Sequence, residues 1–419
     1  MASSARTRIA LAGVLALALG GLVVLARWHR RSRARPAGTP TVRSHGPSPT
    51  TGARAWPRER DAPPVPGPPR MYRMDAAHTG RSGYLLPRSP RVLGRQRATA
   101  RISSQLVVAL DGSLVFGSHD GLVYAVSPAR DAIAWRFSTG DRVYPTPLVH
   151  PDGRVYVGSD SDRFYSLTPR GRLGVGLATD DDADTSAVVV PDGTMRFAAG
   201  RALYSVDPEL TVRWRLDFGG KVFSSPAASS DGTVFVGCQD NGVYSVNAEG
   251  GVRWRSSTGG DVDASPVIDE ARGRVYVGSD DGAVRAFATG DGAEIWTAHV
   301  GGYVRAPVAL GLDGTLVVGT YGPRTRVVAL DSNDGTLRWS IAIPGPPTED
   351  YGIASAALVD GDGRYALGTP DDAVLFVDPD GTVAARVALP ADVDSSPVLV
   401  ADRLLAVGCD DGGMYWLGE

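Results

Sequence analysis

The sequence predicts an all-β protein: an eight-bladed β-propeller of four-stranded antiparallel blades, carried behind one N-terminal transmembrane helix and a Pro-rich tether. Three observations predict it. A unit of about 40 residues recurs eight times. Each unit consists of short apolar runs separated by Asp-Gly or Asn-Gly pairs, with no helix-length periodic segment between them. An uninterrupted apolar run of 18 residues stands near the start of the chain.

That run, residues 9–26, spans about 27 Å as a helix, enough to cross a bilayer core. Arg27, Arg30, Arg31, Arg33 and Arg35 follow at once, a flank unlike that of a cleaved signal peptide, so residues 1–35 are expected to be an uncleaved, single-pass signal anchor. Five arginines after the run and two before it would by themselves place the C-terminal side in the cytoplasm. Residues 36–70 hold ten of the 30 prolines and are expected to form a disordered linker.

Net charge is −3, but it is unevenly distributed. Residues 1–100 carry 18 arginines against three acidic groups, and the remainder carries 25 basic against 43 acidic groups. The folded part is therefore acidic and should repel nucleic acid. The two cysteines, Cys238 and Cys409, exclude a disulfide-stapled scaffold and four-cysteine metal sites.

The propeller is expected over residues 71–419. The opening turns of its units fall at Asp111, Asp152, Asp192, Asp231, Arg272, Asp313, Asp362 and Asp402. A second strand ends in glycine, as in LVFGS and VYVGS, and is followed by a turn such as Asp120-Gly121 or Asn241-Gly242. Such pairs favour type I′ hairpin turns, in which both central residues take positive φ. A third strand follows, then a fourth bearing Trp135, Trp214, Trp254, Trp296 or Trp339. One tryptophan per blade predicts packing between neighbouring blades, a structural role. The last unit ends after three strands, so residues 91–99 are expected to supply its fourth and close the ring.

The recurring pattern W-x-x-x-T-G…S-S-P…D-G-x-V-Y-V-G-S-x-D-G-x-V-Y-A resembles the PQQ-like, or quinoprotein-type, propeller repeat. Residues 329–339 (ALDSNDGTLRW) resemble its tryptophan-docking motif, and residues 73–83 (RMDAAHTGRSG) resemble the entry segment that precedes the first blade. The resemblance implies an extracytoplasmic propeller, opposite to the orientation the arginines suggest. Catalytic members are implied to carry an adjacent-cysteine disulfide beside the cofactor and a calcium held by Glu, Asn and Asp. This sequence has no Cys-Cys pair, and its cysteines fall four blades apart. No catalytic residue, metal or cofactor is therefore expected.

A binding site is expected at one mouth of the central channel. Residues entering each innermost strand should gather there: Tyr144, Asp184, Phe223, Asp263, Val304 and Asp394, with Arg305 and the acidic run Asp180, Asp181, Asp182 close by. His119 and His150 are expected to be solvated in turns. The expected role is a monomeric, non-catalytic propeller that scaffolds protein partners in the cell envelope. The alternative is a sensor binding a polar ligand or cation at the acidic mouth. A quinone-dependent dehydrogenase ranks third.

Overall fold

The computed structural model describes residues 68–419 and the backbone of one short strand, Thr41–Ser44. Residues 9–26, where a membrane helix is expected, lie outside the described residues. Among the described residues, no helix is long and apolar enough to cross a membrane.

Eight antiparallel sheets form the expected eight blades, over residues 107–138, 148–178, 188–217, 227–257, 267–299, 309–342, 358–388 and 398–418. The eighth sheet is completed by Arg91–Arg97, which pairs antiparallel with Gly413–Gly418 from Arg91 opposite Gly418 to Arg97 opposite Gly413. The two ends of the propeller thus share one blade, as the repeat count predicts, and no blade is left with an unfilled fourth position. The third sheet carries a fifth strand. Thr41–Ser44, inside the segment expected to be disordered, pairs antiparallel with the outer strand Val212–Asp217.

Strand composition follows position. The second strand of each blade lies between two neighbouring sheets, so Val155–Ser159 is buried at every residue. The outer strand faces solvent on one side, so Ile133–Ser138 alternates between half-buried and exposed. Apolar clusters form between blades, as where Val188 and Leu203 of blade three meet Val234 and Tyr244 of blade four. The Asp-Gly turns differ from the expected type. At Asp120-Gly121 only the glycine takes positive φ (80°), and its N–H donates to the Ser118 carbonyl at 3.2 Å. That is a type I turn followed by a left-handed residue, the usual three-residue hairpin alternative.

The tryptophans dock as expected, onto a specific partner. Trp254 packs on Gly292 in the turn between the third and fourth strands of the next blade, and its Nε1 donates to the Thr289 carbonyl at 2.9 Å. Trp135 on Gly171, Trp214 on Gly250, Trp296 on Gly335 and Trp339 on Gly381 repeat the arrangement. Each of these glycines has positive φ and faces the indole, so a side chain fits neither the backbone nor the space.

The entry segment is an internal plug. Carbonyls of Pro69, Arg70, Ala76, Ala77, Thr79, Gly80 and Leu85 accept backbone hydrogen bonds in turn from Val108, Val149, Ala228, Ile268, Leu310, Val359 and Arg403. Those donors lie in seven of the eight blades, all but the third, so one segment ties most of the ring together from within. The propeller thus begins at least two residues before the expected boundary at 71, because Pro69 and Arg70 already bind blades one and two. Arg73 is buried and donates to the carbonyls of Ala357 at 2.7 Å and Val308 at 3.3 Å.

Candidate functional site at the channel mouth

One bond pattern places the expected entry residues at equivalent positions in successive blades. The N–H groups of Ile102, Val143, Ala183, Val262, Val304, Ile353 and Val393 each donate to a carbonyl at the end of the second strand of the preceding blade or one residue beyond it, as Val143 does to Ser118 at 3.1 Å. The next residue of each segment faces the mouth: Ser103, Tyr144, Asp184, Asp263, Arg305, Ala354 and Asp394, with Phe223 in the corresponding place at the entry to blade four, after Val222, whose N–H donates to the Gly200 carbonyl at 2.8 Å. Val304 does not belong to this ring. It is fully buried against Gly278, and Arg305 takes the ring position because its segment reaches proline one residue early. Ser103 and Ala354 escaped the sequence reading because their segments carry the proline signature in degenerate form.

A second circle surrounds the first. It holds Arg101, Arg142, Asp182, Lys221, Asp261, Tyr303 and Asp392, each immediately before a buried anchor. Carbonyls of this circle accept from His119, Asp160, Gly200, Gln239, Asp280, Tyr321 and Asp410, each in the blade that the segment enters. Blades one, two, five, six and eight therefore each supply three polar side chains, whereas blade three has Gly200 and blade four has Phe223 in place of one.

Two basic residues organise opposite sides. Arg305 grips Asp280 with Nε at 3.0 Å and Nη2 at 2.7 Å, and lies over the rings of Tyr303 and Tyr321 at 5.3 and 5.6 Å. Arg101 donates to Asp410 at 3.1 Å and to His119 Nδ1 at 3.0 Å, and stands 3.9 Å from Asp394. His119 also contacts Ser103 Oγ at 2.8 Å and packs on Tyr144 with ring centroids 4.1 Å apart. Burial, with Arg101 and Arg142 nearby, pushes its pKa down to about 4. His119 is thus part of the mouth, not a solvated turn residue. His150 is buried and 3.0 Å from Asp152 on the other side of its blade, so neither histidine is solvated as expected.

Carboxylates dominate the mouth, and burial together with neighbouring carboxylates raises their pKa values. Burial and the neighbouring Asp280 raise Asp263 to about 7. Burial and Asp394 raise Asp410 to about 7. Asp182 and Asp392 are pushed up to about 6 by burial and by adjacent aspartates. Asp184 is raised strongly by burial and by Asp160 beside it. Such a crowd of carboxylates focuses negative potential on the mouth. Beside Arg305 a cleft of about 300 Å³ opens between blades five and six, lined among others by Asp280, Tyr303, Tyr321 and Glu349.

Residues 198–366 match the family model described as outer membrane protein assembly factor BamB. Over those residues the match supports the PQQ-like resemblance of the repeats. No curated protein matches the chain. Among solved structures, the propeller is similar to BamB from Moraxella catarrhalis, at 15% identity and a TM-score of 0.64, covering 79% of this chain and 100% of that one. It is also similar to a europium-containing methanol dehydrogenase (12% identity, TM-score 0.72, 85% of this chain and 98% of that one). The computationally designed Ika8 protein is a third (13%, 0.65, 79% and 100%). At these identities the likeness is one of fold, shared by an assembly factor, an enzyme and a design.

The cysteines sit as expected. Cys238 and Cys409 are free and buried in blades four and eight. Burial raises both thiols, that of Cys409 to about 12, which keeps them protonated and unreactive.

Proposed function

We propose that this propeller is a non-catalytic protein-interaction scaffold of the cell envelope, docking partners at the channel-mouth face. The match of residues 198–366 to the BamB family model carries the reading. The mouth supports it with a chemically distinctive surface: carboxylates, the Tyr303–Arg305–Tyr321 stack and the cleft beside it. Aromatic and arginine side chains at the rim of a rigid scaffold are the usual anchors of a protein interface. On this reading the partner presents a basic segment, because the surface it meets is acidic.

The dehydrogenase reading is disfavoured by the donor set. The quinone cofactor of this family is a tricarboxylate, and the mouth presents it with Asp182, Asp184, Asp263, Asp392, Asp394 and Asp410. Arg101, Arg305 and Lys221 are already engaged with Asp410, Asp280 and Asp181. The residues present do not fit that group. The envelope location and the single-pass anchor over residues 9–26 belong to the same proposal, supported by the apolar run and the BamB resemblance.

The test is capture from envelope extract by the full-length chain in detergent, with an artificial-acceptor assay on the same preparation. Specific retention of a partner, weakened by salt, with no turnover of an alcohol or sugar in the presence of added quinone, is expected. Turnover with quinone and no retained partner would overturn the proposal.

A further inference from the structure

One unit of the repeat is too long, and its surplus lies at the mouth. From Asp313 to Asp362 the chain takes 49 residues, against 41 from Arg272 to Asp313. In the other blades the outer strand leads to the next buried anchor in five residues, as from Ser138 to Val143. From Ala342 to Ile353 it takes eleven. The hairpin after the second strand is longer too. Thr320 N–H donates to the Arg326 carbonyl six residues on, where Ser118 and Leu122 pair four apart. The two insertions account for the whole surplus.

The inserted loops are bound to each other. Gly322 N–H and Thr325 Oγ1 both donate to the Tyr351 carbonyl, at 2.9 and 3.0 Å. Tyr321 forms an antiparallel bridge with Gly352, and the Tyr351 hydroxyl closes its own loop on the Pro344 carbonyl at 2.7 Å. Insertions into a repeat architecture commonly fall on its binding face. Here they wall the cleft of about 300 Å³ between blades five and six, at the lower end of the size of small-molecule sites.

The lining decides what fits. Tyr303 and Tyr321 supply flat surface, and Gly302 keeps the wall thin, because a Cβ there would run into the Tyr321 carbonyl. Three carboxylates face the space. Asp280 is held by Arg305 at 2.7 Å and Asp281 by Arg285 at 2.6 Å. The third, Glu349, belongs to the insertion, is exposed, and accepts from a neutral donor, the Tyr303 hydroxyl, at 3.2 Å. Flat aromatic surface beside a carboxylate matches a guanidinium, which stacks on rings and forks onto carboxylates.

We propose that this cleft is the subsite for one arginine side chain of the partner, with Glu349 pairing its charge and Tyr303 carrying its plane. The inference rests on the scaffold reading of the mouth and deepens it, by assigning the recognition of a basic partner to the one blade whose loops depart from the repeat.

The probe is the peptide acetyl-Gly-Gly-Arg-Gly-Gly-amide, titrated calorimetrically into full-length chain in detergent with 150 mM KCl, about the physiological ionic strength. Citrulline in place of the arginine keeps the shape and removes the charge. Saturable binding of the arginine peptide is expected, weaker by at least about threefold for the citrulline peptide and for E349Q. Deleting residues 344–349 restores the five-residue connection of the other blades and should abolish binding while the propeller still melts cooperatively. D380N, at an exposed turn of blade seven, should bind as the wild type does. No saturable heat in the wild type, equal binding of the two peptides, or equal binding by wild type and E349Q would overturn the proposal. Arginine binding with no partner captured from envelope extract upholds the subsite and fails the scaffold; capture undiminished in E349Q, with no peptide binding, does the reverse.

Discussion

Arg73 donates from Nη1 to the carbonyl of Ala357 at 2.7 Å, across 284 residues of sequence. The bond fastens the entry segment to blade seven, and Nη2 fastens it to blade six through Val308. A guanidinium so deep, with its pKa lowered by burial to about 10, persists only because carbonyls surround it. Arg73→Ala should therefore cost about 3 kcal/mol, the loss of charge-assisted bonds plus a cavity. Urea unfolding measures it; a cost below about 1 kcal/mol would mean that the plug is not integral to the ring.

The indole–glycine pairs predict a matched set of losses. Trp254→Ala should destabilise by about 3–5 kcal/mol, and Trp339→Ala by less, because Trp339 is only half-buried. Gly292→Ala should also destabilise, by about 1 kcal/mol or more, since a Cβ would stand 2.6 Å from the Trp254 ring at φ 74°. Thermal melts of the three variants give the ranking directly, and a neutral Gly292→Ala would show that the close approach is not needed.

Asp263 makes stability pH-dependent in a stated direction. Its folded pKa is about 7, above the ordinary value, so its contribution is complete below about pH 4 and is lost as pH rises through 7. Asp263→Asn should come closest to the wild type near pH 4, and its advantage in Tm should grow as pH rises from there to 8. His78, pushed down to about 3 by burial, acts in the opposite sense, losing stability as pH falls below about 6.5. For that reason the difference between variant and wild type is the informative quantity. An Asn variant less stable than the wild type at pH 8 would contradict the assignment.

Deleting residues 91–97 removes the closing strand and bares the edge of Gly413–Gly418. A bare strand with buried Met414, Tyr415 and Leu417 should pair with another copy. Size-exclusion chromatography should show dimers or aggregates in place of the monomer; an unchanged monomer would mean that the ring holds without its shared blade.

Architecture was legible in the sequence because it is repeated. One 40-residue pattern read eight times fixes strand order, blade count and the closing strand, since errors in any single unit are corrected by the others. The mouth was half legible. Tyr144, Asp184, Phe223, Asp263 and Asp394 follow from the proline signature, whereas Ser103 and Ala354 lack it. The plug was visible only as a family-like entry segment: its bonds run to seven blades, and no local pattern encodes contacts hundreds of residues apart. The approach of the Asp162, Asp181 and Asp182 carboxylates to within 4.8 Å of one another was hidden for the same reason, because it depends on how two blades face each other.

The central claim is that partners dock on the mouth face. A photo-cross-linking amino acid placed in turn at Tyr303, on the mouth, and at Leu337, on the exposed outer strand of blade six, tests it most directly in living cells. The account predicts a discrete protein adduct from position 303 and none from position 337. An adduct from 337 alone, or none from 303, would contradict it.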